Sequence, residues 1–126
     1  MGASERLKVG ILTSSRADYG IYRPLLEKMS EDNAFDLDVI AFGTHLMKRF
    51  GHTVDTIYED GHKVLAVPGT LCDGDAPSDI AYSMSSTIRS FADFYKGHKY
   101  DILFALGDRY EMFSAVAASV PYNLDV

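Results

Sequence analysis

The chain has 126 residues, 47% hydrophobic and 24% charged, with a formal net charge of −6. A chain of this size and balance can bury one core without disulfides or metal, and its acidity argues against a broad nucleic-acid surface, which needs clustered Lys and Arg where only Lys96, His98 and Lys99 come close together. Cys72 has no disulfide partner within the chain, and Met1 to Arg6 is small and polar with no basic-then-apolar leader, so a cytoplasmic protein without a membrane segment is expected.

The first apolar run, LKVGILT from Leu7 to Thr13, reads as a buried strand, and TSSRADYG, Thr13 to Gly20, follows it. Leu25, Leu26 and Met29 predict a helix ending near Asp32, with Pro24 either kinking it or starting its regular part. A second strand, Leu37 to Phe42, runs into the loop GTHL, Gly43 to Leu46. A short helix over Thr53 to Glu59 is stopped by Asp60-Gly61, and a third strand covers Lys63 to Val67. After the long loop PGTLCDGDAPSD, the steps between Ile80, Met84, Ile88, Phe91 and Tyr95 predict a helix from about Ser78 to Lys96 with one apolar stripe, a core stripe. A fourth strand, Asp101 to Leu106, leads through GDRYE into a helix over Tyr110 to Ser119, and a fifth strand begins at Tyr122.

Strands alternating with helices imply an open α/β fold with a parallel sheet. The long third connection carries the chain across the first strand and gives the order 3-2-1-4-5. Ligands of such sheets sit outside the carboxyl ends of the strands where the order reverses, here between strands one and four. TSSRADYG and GDRYE face each other there.

Asp108 and Glu111 have the spacing of a capping box, which needs no function. The cap does not explain Arg109 between them, nor the second pair, Arg16 and Asp18, in the facing loop. Arginines offer a planar fork to phosphate or carboxylate, helix N-termini favour anions, and carboxylates suit sugar hydroxyls or proton transfer. The competing account is a surface ion network among the same residues. His45 lies near the same rim, where an isolated His is more often structural. His45, His52, His62 and His98 stand in separate contexts, so no metal site and no cofactor is expected. The glycine pattern of dinucleotide-binding loops is missing after strand one, and Val67-Pro68 replaces the phospho-accepting Asp of a receiver domain.

Through TSSRADYG, GTHL with FGHTVDTIYEDG, and LGDRYEM, residues 7 to 126 resemble the hydrolysing UDP-N-acetylglucosamine 2-epimerases and their relatives in legionaminic-acid synthesis. Non-hydrolysing members typically carry a Lys five residues after the first Arg, where this chain has Ile21. The resemblance implies the N-terminal Rossmann-like half of a two-domain, glycosyltransferase-B-like enzyme, with the second domain and a HIHGGE-type motif outside the chain and the nucleotide sugar held between the halves. It further implies loss of the C2 proton, expulsion of UDP to give a 2-acetamidoglucal, and hydration. Asp108 is then the catalytic acid/base, with Arg16, Asp18, His45, Arg109 and Glu111 as substrate-binding residues. A UDP-sugar is the expected partner, the protein a homo-oligomer, and these 126 residues alone inactive. A UDP-diacetamido-trideoxy sugar as substrate, a glycosyltransferase acceptor domain and a non-catalytic α/β module stay open as alternatives.

Overall fold

In the computed structural model, which describes residues 6–47, 51, 53–107 and 109–126, apolar runs become strands and amphipathic stretches helices. The order is β1 (Leu7–Thr13), α1 (Arg16–Ser30), β2 (Phe35–Ala41), a 3-10 turn (Gly43–Leu46), α2 (Val54–Glu59), β3 (Val64–Ala66), α3 (Pro77–Gly97), β4 (Ile102–Phe104), α4 (Tyr110–Ser119) and a second 3-10 turn (Val120–Tyr122). α1 runs unbroken through Pro24 and starts at Arg16 because Ser15, in extended backbone, caps it.

The strands are parallel and ordered β3-β2-β1-β4. β3 and β4 are shorter than their apolar runs, each pairing over three residues with one neighbour. The fifth strand expected from Tyr122 is a correction. Tyr122 closes a 3-10 turn, Asn123 takes a left-handed conformation (φ 55°), and extended pairing resumes only at Asp125, which bridges Ile102 and accepts from the Leu103 amide at 2.8 Å.

Alternation along each strand divides the core into two layers. Val9, Ile11, Val39 and Ala41 face α1 and α2, where Tyr19, Leu26 and Ile57 cover them. Leu12, Ile40, Phe42 and Leu103 face α3 and α4, meeting Phe91, Tyr95, Met112 and Ala115. The stripe predicted on α3 holds only in its second half. Phe91 and Tyr95 are buried, but Ile88 is 39% exposed, and the buried face of the first half is Ser83 and Thr87. Both hydroxyls hold the preceding loop: the Cys72 amide donates to Ser83 Oγ at 2.8 Å, and Thr87 Oγ1 donates to the Thr70 carbonyl at 2.9 Å. The helix thus meets polar backbone there, and small hydroxyl side chains satisfy it where Met and Ile could not. No helix among the described residues is long and apolar enough to cross a membrane.

Candidate functional site

Because all strands are parallel, the loops after β1, β2 and β4 emerge at one edge, on either side of the point where the sheet order reverses. A depression of about 350 Å³ lies there, lined by Ser15, Arg16, Ala17, Thr44, Thr53 and Arg109. Arg16 is the first residue of α1 and Arg109 the N-cap of α4, so the starts of two helices on opposite faces of the sheet contribute a guanidinium each. The unpaired N–H groups of a first helical turn carry partial positive charge and add to those cations. The combination suits an anion with several oxygens.

Behind this wall the loop is held by a buried polar network. Asp18 accepts from the Thr13 hydroxyl and, at 3.1 Å each, from the Ser14 amide and hydroxyl. His45 is fully buried, with Nε2 2.8 Å from Thr13 Oγ1 and Nδ1 2.9 Å from Thr53 Oγ1. Burial holds its pKa below the ordinary histidine value, outweighing the opposing pull of Asp18 and the Ser15 carbonyl. The ring therefore sits neutral between two hydroxyls. Gly43 brings the β2 loop against this network. Its φ is +63°, and a Cβ there would stand 2.9 Å from the Ser14 carbonyl oxygen, which also accepts from the Thr44 amide at 3.0 Å.

Glu111 is fully buried on α4 and accepts from Arg109 Nε, while the Arg109 side chain stays 57% exposed. α4 begins at Tyr110 with Arg109 as its N-cap, and the Glu111 carboxylate accepts from that cap residue's guanidinium; the capping box expected of Asp108 and Glu111 falls on Asp108, outside the described residues. The pair raises the Arg109 pKa, with the hydrogen bond that Arg109 donates to Glu111 the main cause, so its charge is fixed. Of the sequence-based candidates, Arg16 and Arg109 share the depression, and Asp18, His45 and Glu111 form its internal support. Asp108 lies outside the described residues. Thr13, Ser14, Thr44 and Thr53 were not singled out by sequence. The sequence places Thr53 only as the first residue of a short helix, and only the fold turns it to His45.

A model of the UDP-N-acetylglucosamine 2-epimerase family matches residues 27–126. The chain belongs to that family. Among similar 2-epimerase-family relatives, a polysialic acid biosynthesis protein of Escherichia coli is 35% identical over 117 residues, covering 93% of this chain and 30% of that protein. A hydrolysing UDP-N,N'-diacetylbacillosamine 2-epimerase of Legionella pneumophila is 28% identical over 119 residues, covering 94% of this chain and 32% of its own length. The chain thus spans about a third of the curated relatives it matches. A solved UDP-N-acetylglucosamine 2-epimerase superimposes with a TM-score of 0.77 at 17% identity, over 94% of this chain and 32% of the other. The Neisseria meningitidis 2-epimerase, solved bound to UDP-GlcNAc, gives 0.72 at 18% identity over 94% of this chain and 30% of its own. At such identities the likeness establishes the shared α/β fold.

Proposed function

We propose that this domain forms one wall of the active site of a hydrolysing UDP-N-acetylglucosamine 2-epimerase, a cytoplasmic enzyme that releases UDP and the free 2-epimeric sugar. The observation that carries it is the meeting of Arg16 and Arg109, each at the start of a different helix, in one depression at the switch point of the sheet. Leaving diphosphate needs its growing negative charge stabilised, and two guanidiniums backed by first-turn N–H groups supply that. Glu111 holds Arg109 by Nε, and Asp18 and His45 hold the loop that carries Arg16.

In the proposed reaction a base removes the proton from C2 of the sugar and the electron pair forms the C1–C2 double bond as the C1–O bond to UDP breaks. Water then adds across that double bond, hydroxyl to C1 and proton to the opposite face of C2. Asp108, one residue before Arg109, is the acid/base group assigned to this chain, and the remaining groups lie outside these 126 residues. The Legionella relative's name supports a second substrate, a UDP-diacetamido-trideoxy sugar. Incubating the full-length protein with both nucleotide sugars, while following UDP and free sugar, separates the two. Asp108→Asn is expected to lower kcat by at least about 100-fold, the usual scale for a general acid or base, with little change in thermal midpoint. Unchanged kcat would remove Asp108 from the chemistry.

A further inference from the structure

Thr53 precedes α2 as its N-cap, yet its side chain makes no capping hydrogen bond. Its hydroxyl goes to His45 Nδ1 at 2.9 Å, while Thr53 also lines the depression with Arg16 and Arg109. The direction of that hydrogen bond follows from the chain of partners behind it. The Thr13 hydroxyl has one proton, and it is donated to the Asp18 carboxylate, which has none to give. Thr13 Oγ1 can therefore only accept from His45 Nε2, 2.8 Å away, so that nitrogen carries the ring proton. The Ser15 carbonyl is the other acceptor near the Thr13 hydroxyl, but at 3.4 Å it lies beyond the usual O–H···O range and leaves that proton to Asp18. In a neutral imidazole the other nitrogen is then bare, and Nδ1 must receive the Thr53 proton.

We propose that Thr53 is a specificity-determining residue that presents only a hydrogen-bond acceptor to the depression, so that the ligand group facing it must be a donor, a hydroxyl or an amide N–H. A phosphate oxygen, ionised near neutral pH, has no proton to offer there and goes to the arginines. Resting on the nucleotide-sugar function proposed above, this orients the ligand: diphosphate on Arg16 and Arg109, and a hydroxyl or the acetamido N–H of the sugar on Thr53. Asp18, Thr13 and His45 are positioning residues that set the polarity of a group they do not share with the ligand.

Two measurements on the full-length protein test it. In 15N-histidine-labelled protein, long-range nitrogen–proton correlation, with His45 assigned by its loss in His45→Gln, is expected to show Nε2 protonated and Nδ1 bare. The opposite tautomer would overturn the proposal, whatever the protein binds. In kinetics with UDP-N-acetylglucosamine, Thr53→Val is expected to raise KM about three- to tenfold, the scale of one neutral hydrogen bond. Inhibition by UDP alone should then stay within about twofold, and Thr53→Ser, which keeps the hydroxyl, should recover the KM lost in Thr53→Val. Parental KM in Thr53→Val, or equal weakening of UDP and the nucleotide sugar, would overturn it. Absence of turnover with either nucleotide sugar would instead overturn the proposed function, leaving the tautomer to decide the direction of the Thr53 hydroxyl.

Discussion

Asp18 looks from its position like a surface charge in the first turn of a helix, but its carboxylate is turned inward to three donors on Thr13 and Ser14. Asn at this position would put an NH2 group against one of those donors. Asp18→Asn is therefore expected to cost ~1–3 kcal/mol, the penalty of an unmet buried polar group, read as a lower urea midpoint at unchanged slope. His45 gives a pH dependence of known sign. Its folded pKa is lowered by burial, so the unfolded chain takes up a proton at about 6.5 while the folded one still resists it. Stability should be full above that pH and fall as pH drops from about 6.5 towards the folded pKa. His45→Gln should flatten this part of the profile in paired denaturation curves at about pH 7.5 and 5.5.

At the scale of elements, the turn after β2 is fixed by backbone geometry. The φ of +63° at Gly43 and the Ser14 carbonyl 2.9 Å from any added Cβ leave room for no other residue. Gly43→Ala should cost about 2 kcal/mol or more, combining left-handed strain with that contact, and calorimetry should show it as a lower Tm. Placing the predicted stripe of α3 in the core fails at Ile88 because periodicity reports which residues share a face, not what that face meets. The loop before α3 folds back on Ser83 and Thr87, a contact no local pattern announces.

At the scale of the whole molecule, the opposite edge of the sheet carries a buried carboxylate that ties β2 to β1 and to the residues leading into β3 and β4. Asp38 on β2 accepts from the Tyr100 hydroxyl at 2.8 Å, just before β4, and lies 3.2 Å from the ammoniums of Lys8 on β1 and Lys63 before β3. Gly10 makes room for the Tyr100 ring and for Leu103, since a Cβ there would stand 3.1 Å from Tyr100 and 2.7 Å from Leu103. Burial opposes the Asp38 charge, but these partners outweigh it and hold its carboxyl below the usual range. This edge therefore anchors the sheet while the far edge carries the charged depression. The depression is an open one, and in water each charge contact is worth a small part of its value in a closed site. The 126-residue chain alone is accordingly expected to fold, shown by a cooperative denaturation curve, but to bind UDP more weakly than micromolar and to release none from UDP-N-acetylglucosamine. Micromolar binding by calorimetry would show the site complete without a second domain.

By itself the sequence determined the alternation of strands and helices, the order of the four strands, the edge at which the charged loops meet, and the two arginines that line it. These follow from periodicity and from the length of one connection, both local properties of the chain. Tertiary structure decided which charges face the ligand and which face inward. Asp18 and Glu111 read in sequence as companions of Arg16 and Arg109, yet both are buried behind the wall, Asp18 held by donors on Thr13 and Ser14 and Glu111 paired with Arg109 Nε. Thr53 shows the same limit from the other side. In sequence it is only the first residue of a short helix, and only the approach of His45 from the turn after β2, aligned by Thr13 and Asp18, turns its proton inward and its oxygen towards the depression.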